Sequence, residues 1–435
     1  MSLFTFREQE TILEFAGRQL IEVQKGGWPT LKLKLTVFTR LVIKVMVLIA
    51  LSPLSIVPVI VMRLIRPWLL IRVGELESKG IGHFSLPIEI YLSEVECGLH
   101  NFGKKSFDIW YLNSIVCNKV LEDKWRRIFR VWPWQIMNPI DGLNRLIPGG
   151  MAHVIPFRYL TDRHTPWQNV DIHGVLDRTT PHLLFSPDEV VVGTFALRTM
   201  GISENDPIVC VSVRDGAYYN EKDLRFKHRN SSLQLLVPAM ENLAGLGFKV
   251  IRMGAKVSEK LPTSNVSVID YATNGMRSEL LDLFLIARCR FMVSTGTGVD
   301  ALAPTFRRPL VYVNLGQFGF VDEQRSVLFI PKHFWSISEK RMLTFPEIFK
   351  IGAHLFTLQE HYAMAGIESV ENTSDEISAA VSEMERRLSG DWITQPEDEV
   401  LQRRFLSIWP VRKTSMVLQA RIGTEFLRQH PEMLG

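Results

Sequence analysis

From Leu69 onward, short apolar runs alternate with stretches of helical period. Leu69–Val73, Asp108–Leu112, Ile208–Val213, Lys249–Met253, Val266–Asp270, Phe291–Val293 and Leu310–Val313 read as strands. Residues 84–99, 116–129, 185–200 and 233–246, and the stretch opening at Leu280, read as helices. The helix over 185–200 carries its own start signal, with Ser186 as N-cap, Pro187 at its first position and Asp188 and Glu189 in its first turn. Strands joined by helices predict parallel βαβ units, hence an α/β protein.

The pattern differs at both ends. Residues 1–25 space Ile12, Leu13, Phe15, Ala16, Leu20 and Val23 along one side of an amphipathic helix. That start is polar and acidic, which does not describe a cleavable signal peptide. Val45–Met62 holds no charge, but Pro53 and Pro58 interrupt it and basic residues flank it on both sides. It is near the shortest length that spans a bilayer. A segment dipping into one leaflet or lying at its surface, with Trp28 and Trp68 at headgroup level, fits better than a span; a buried helix pair is the other reading. Residues 130–180 read as irregular loops, and the chain beyond Phe345 as helical, with 376–388 strongly amphipathic. These shifts predict an N-terminal membrane-associated segment (1–67), a first Rossmann-like domain (68–200), a second (201–345) and C-terminal helices (346–435).

Composition narrows the partners. In 435 residues, 46% are hydrophobic and 22% charged, enough for a sizeable core. A net charge of +4 does not argue for nucleic acid. Cys97, Cys117, Cys210 and Cys289 lie far apart in apolar surroundings and match no metal or redox spacing. No acidic pair or His/Cys/Asp spacing suggests a metal, so no metal and no cofactor are expected.

The candidate chemistry centres on Ser294-Thr295-Gly296-Thr297-Gly298. A glycine turn after a strand lies at the carboxyl edge of a parallel sheet, where ligands bind. Two glycines let backbone N–H groups approach an anion, the following helix end favours negative charge, and three hydroxyls add donors. A tight strand-to-helix turn without a ligand is the alternative. The turn also fits Gly-x-Gly-x-x-Ala through Ala301, but no acid follows until Asp322, which disfavours a nicotinamide dinucleotide.

Other strand ends add charge at the same predicted edge. Arg214, Asp215 and Tyr218 follow the first strand of the second domain, Arg252 and Gly254 end the next, and Arg225, Lys227, His228, Arg229 and Asn230 occupy a loop. Converging basic groups there describe a diphosphate site; a solvated loop accounts equally for Arg225 and Lys227. His83, in a glycine loop of the first domain, is a candidate base or a structural cap, and Asp215 is a second candidate base or an arginine partner.

Several short stretches, taken in order, resemble the GT-B glycosyltransferases, and more closely a bacterial glycosyltransferase family of surface polysaccharides. They are Ile81-Gly82-His83-Phe84 with Pro87 and Glu89, His182–Phe185, Val213–Tyr218, His228–Ser231, Val250–Gly254, Ile269–Tyr271 and Ser294–Gly298, spanning residues 69 to about 320. The last, with Leu302-Ala303-Pro304, is similar to the nucleotide-sugar segment of heptosyltransferases. The resemblance implies two facing Rossmann-like domains and a nucleotide diphosphate-sugar donor. It also implies a lipid-linked or polysaccharide acceptor at the cytoplasmic face of the cell membrane. A nucleotide-sugar epimerase of similar fold, or a non-catalytic membrane-bound scaffold of polysaccharide assembly, are the alternatives.

Overall fold

The computed structural model describes residues 55–100, 105–155, 171–218, 224–321, 326–410 and 418–435, with isolated positions between 27 and 46. The amphipathic helix expected over 1–25 lies outside these residues, as does part of the uncharged run. The chain divides into two compact units, one of residues 1–74, 102–111 and 131–155, the other of 75–101, 112–130 and 156–435.

In the first unit a helix over 55–65 leads into β1 (Leu70–Leu76). β1 pairs with β2 (Ser106–Leu112), and β2 with β3 (Val131–Trp132). Val59, Met62, Val73, Ile109, Tyr111, Met137 and Ile140 form the core of this unit. Arg72 and Asp108 bridge β1 and β2 through two hydrogen bonds of 2.7 and 2.6 Å. The loops expected over 130–180 are partly corrected: Trp134–Leu146 is a helix, α3, entered through Pro133. Its buried stripe is Met137, Ile140, Asp141 and Asn144. The two polar members hide the stripe from a hydrophobicity count. Both are bonded, Asp141 to the Tyr111 hydroxyl at 2.9 Å and Asn144 to the Gly150 carbonyl at 2.9 Å.

The second unit holds α1 (Leu86–Glu96), α2 (Lys119–Ile128) and α4 (Pro187–Thr199), together with a seven-stranded sheet. Its strands are β4 (Ile208–Ser212), β5 (Lys249–Met253), β6 (Val268–Ile269), β7 (Phe291–Ser294), β8 (Leu310–Leu315), β9 (Val327–Pro331) and β13 (Arg421–Ile422). Their order is β6-β5-β4-β7-β8-β9-β13, and every pairing is parallel. The chain builds outward from β4 to one edge, then returns to β7 and builds to the other. β4 and β7 are buried at every residue, as strands covered on both faces must be, so their apolar runs are continuous.

α4 starts at Ser186 with a complete capping box. It packs on α6 (Glu279–Arg288) through Gly193, where a Cβ would stand 2.6 Å from the Phe284 ring. The expectation that the chain runs helical beyond Phe345 is corrected in two places. β12 (Ile367–Val370) pairs antiparallel with β10 (His333–Ser336), and β13 joins the edge of the large sheet beside β9. Helix α10 (Ser374–Ser389) covers the expected amphipathic stretch, followed by α11 (Pro396–Ile408) and α12 (Thr424–Gln429). No helix among the described residues is long and apolar enough to cross a membrane.

Candidate functional site

β4 and β7 are adjacent although the chain travels to the sheet edge between them, so their carboxyl ends mark the topological switch point. Crevices open there in doubly wound sheets. Hydroxyls tie the two strand ends together. Ser212 Oγ donates to Ser294 Oγ at 3.1 Å and lies 2.9 Å from Thr297 Oγ1. The Thr295 N–H donates to the Ser212 carbonyl at 3.1 Å, and Thr295 Oγ1 accepts from the Arg214 N–H at 2.9 Å. Gly296 sits at φ 82°, a conformation that favours glycine.

The turn's N–H groups face acceptors of the protein itself. Gly296 N–H donates to Ser294 Oγ at 3.1 Å, and Thr297 N–H to Asp300 Oδ2 at 2.7 Å. Ser294 Oγ donates to the same carboxylate oxygen at 2.7 Å. Burial pushes the Asp300 carboxyl up to about 6, against the hydrogen bonds from Ser294 and Thr297. Asp300 thus holds a negative charge where the sequence suggests a phosphate. The helix expected after the turn is a 3₁₀ turn, Val299–Ala301, followed by the short α7, Leu302–Thr305.

Loop 77–85 lies against the turn. A Cβ on Gly82 would stand 2.9 Å from the Gly298 carbonyl oxygen. The loop is held by Ser85 Oγ on the Ile81 carbonyl (2.7 Å) and by the Trp125 indole N–H on the Phe84 carbonyl (2.7 Å). His83 is exposed on it.

Basic groups from the ends of β4 and β9 gather with those of loop 224–232. Arg229 Nη2 donates to the Gly296 carbonyl at 2.8 Å. Arg214, just past β4, accepts through its carbonyl from the Ser231 N–H at 2.7 Å. Lys332, just past β9 and absent from the residues the sequence singled out, is buried; its Nζ donates to the Asn230 carbonyl at 2.5 Å and lies 3.7 Å from Glu371. The His228 ring is buried against Tyr362, with ring centroids 4.7 Å apart. Burial first, then the charges of Arg229, Lys332 and Arg214, push it down to about 3, so it is neutral. Among the described residues, Arg214, Arg229 and Lys332 share this corner with the carboxylates of Glu371 and Asp300. Arg225, Lys227 and Tyr218 are exposed.

Two strand-end residues are committed elsewhere. Arg252 is buried, donates to the Glu259 carbonyl at 2.6 Å and lies 3.4 Å from Asp270 and 3.8 Å from Asp215. Asp215 accepts from the Ala217 N–H (3.0 Å) and from Ser258 N–H and Oγ (2.6 and 2.9 Å). Together they pin the loop after β5. Gly254 is needed there because a Cβ would stand 2.6 Å from Val257 Cγ1. Asn230 packs its amide over Gly216, which has φ 83°.

Glu89 and His182, from two of the family-like stretches, meet in a buried knot. Glu89 Oε1 lies 3.0 Å from His182 Nδ1 and accepts from Arg307 Nη2 at 2.9 Å. Arg307 also reaches Ser93 and Thr179, so this knot ties α1 to the segment after β7. Among the described residues, one group has metal-ligand chemistry, His333, Glu376 and His430. Both Nε2 atoms already bond one oxygen, Glu376 Oε1, at 2.9 and 2.6 Å, and the group is satisfied as it stands.

No family model matches the chain, and no curated protein aligns with it significantly. Among solved structures, a family 9 glycosyl transferase of Veillonella parvula superposes with a TM-score of 0.39 at 10% identity, over 60% of this chain and 85% of that one. The ADP-heptose LPS heptosyltransferase II of E. coli superposes at 0.33 and 13%, over 56% and 84%. E. coli heptosyltransferase WaaC with ADP superposes at 0.30 and 12%, over 60% and 91%. Superpositions of this extent assign neither family nor activity.

Proposed function

We propose that this chain is a glycosyltransferase of GT-B type that moves a sugar from a nucleotide diphosphate-sugar to a lipid-linked or polysaccharide acceptor. The observation that carries the reading is the gathering of Arg214, Arg229 and Lys332 at the switch point of a parallel sheet. A nucleoside diphosphate leaves with growing negative charge, and fixed guanidinium and ammonium groups stabilise that charge as it develops. Those cations take the part a divalent metal plays elsewhere, and no cofactor beyond the donor is required.

The turn's part is to fix this geometry. Its N–H groups hold Asp300 and Ser294, its Gly296 carbonyl orients Arg229, and Thr295 orients the Arg214 backbone. Asp215 and Arg252 support the site from the next loop. His83, exposed beside the turn, takes the acceptor hydroxyl proton as the acceptor oxygen bonds the sugar carbon and the bond to the diphosphate breaks. The reading puts the reaction at the cytoplasmic membrane face, and the basic, apolar composition of the N-terminal region supports that part of it.

Calorimetric titration with nucleoside diphosphates, then nucleotide sugars, tests the reading. Binding that Arg229→Ala weakens at least tenfold, with diphosphate release dependent on an acceptor extract, supports it. Donor turnover without acceptor gives the chain to an epimerase, and absence of binding to a scaffold.

A further inference from the structure

The helix over 55–65 is apolar on both sides. Val59 and Met62 turn inward onto Val73, Ile109 and Met137. On the opposite side Ile56, Val57, Ile60, Val61 and Leu64 are each 42–66% exposed, and Trp68 beyond the helix end is 78% exposed. Their spacing of one, four, five and eight residues makes a single stripe. A water-facing stripe on a soluble protein carries charge; this one carries none. Contiguous exposed apolar surface of this kind marks an interaction site.

The neighbouring charges select the partner. Arg63 donates to the carbonyls of Pro148 (2.8 Å) and Ile147 (3.2 Å), which ties the helix to the end of α3, where Leu146 and Ile147 are also exposed. Arg66 is exposed beside Trp68. Every charged residue between Glu22 and Glu75 is Lys or Arg. An apolar stripe that ends beside the exposed Trp68 and Arg66, in a segment whose charged residues are all basic, is complementary to an anionic lipid headgroup layer, with the apolar side chains sunk to the acyl boundary.

We propose that this face docks on an anionic phospholipid surface, with the helix lying along the headgroup plane. The inference rests on the membrane-face part of the reading above and specifies it; it does not depend on the transferase chemistry, which vesicle binding does not report.

The test is co-sedimentation of the full chain with vesicles of phosphatidylcholine alone and of phosphatidylcholine with phosphatidylglycerol. Binding to the anionic vesicles should be about tenfold tighter and should weaken as salt rises. Ile60→Asp and Leu64→Asp, at exposed positions, should each weaken it about tenfold or more with the circular-dichroism melt unchanged, and Arg66→Glu about fivefold or more. Trp68→Ser, outside the helix, gives a second route if either aspartate variant misfolds. The proposal is overturned if the wild-type chain binds neither vesicle, if the folded variants bind as it does, or if these substitutions instead dissociate a dimer, which would give the face to a second copy.

Discussion

Gly82 and Gly298 meet face to face, so that a Cβ on the first would stand 2.9 Å from the carbonyl oxygen of the second. The reverse is roomy, since a Cβ on Gly298 would stand 3.7 Å from Ile81 Cγ2, an ordinary contact. Gly82→Ala should therefore cost about 1–3 kcal/mol by forcing backbone from backbone. Gly298→Ala should change stability by less than about 1 kcal/mol. Urea melts of the two variants check the asymmetry, and equal costs would show that the loop and the turn do not touch.

Asp300 gives the turn a pH signature. Its carboxyl titrates near 6 in the folded chain, above the ordinary aspartate value, because burial disfavours its charge. The folded state then binds more protons than the unfolded one between roughly pH 4 and 6. This group's contribution to stability is complete below about pH 4 and declines as pH rises through 6. Asp300→Asn should flatten that part of the stability profile. Asp300→Ala should cost about 1–3 kcal/mol by stranding Ser294 and the Thr297 N–H.

The C-terminal helix has an opposite pair of titrations. Hydrogen bonding to Glu376 raises His430 above the ordinary histidine value. Burial alone would raise Glu376, but hydrogen bonds from His333 and His430 outweigh it and hold the carboxyl low. The histidine's contribution is present below about pH 6.5 and lost as pH rises through its raised folded value; the glutamate's is present above its ordinary value and lost in acid. Protection of the α12 amides, taken as exchange relative to the intrinsic base-catalysed rate, should be greater below neutrality than above it, and His430→Gln should remove that difference.

His83→Ala should lower turnover about 10²- to 10⁴-fold with donor affinity nearly unchanged, as expected for a positioned base on an exposed loop. Asp215→Asn should instead weaken donor binding, because it loosens the Ser258 contacts that hold the loop after β5. Single-turnover rates and calorimetry separate the two. Full turnover in His83→Ala, with loss in Asp215→Asn at saturating donor, would exchange the roles.

Lys332→Met should raise the dissociation constant for a nucleoside diphosphate about tenfold or more, the loss of one charge-assisted contact. An unchanged constant would leave Lys332 as a structural partner of Asn230 and Glu371.

The switch-point strands were readable because β4, β7 and β8 are unbroken apolar runs ended by glycine or charge. The α4 start was readable because Ser186, Pro187 and Glu189 act locally. Partners distant in sequence were not. Arg252 and Asp215 stand at strand ends, as expected, yet Asp270 and Ser258 claim them. Lys332 reaches the site from beyond β9 through a carbonyl a hundred residues earlier, and no local pattern announces it. Asp300 reads as an ordinary first-turn acid until the Thr297 N–H is seen to point at it. Trp134–Leu146 escaped because Asp141 and Asn144 fill its buried stripe.

The strand β13 sets an order on folding. It pairs with β9 only after α10 and α11 have been made, so the flank of β9 stays open through that interval of synthesis. An unfilled strand flank is a template for another chain. Ribosome-bound intermediates released between Pro331 and Arg421 should therefore be the species most prone to associate, and a chaperone that shields β9 during elongation should raise the yield of soluble protein.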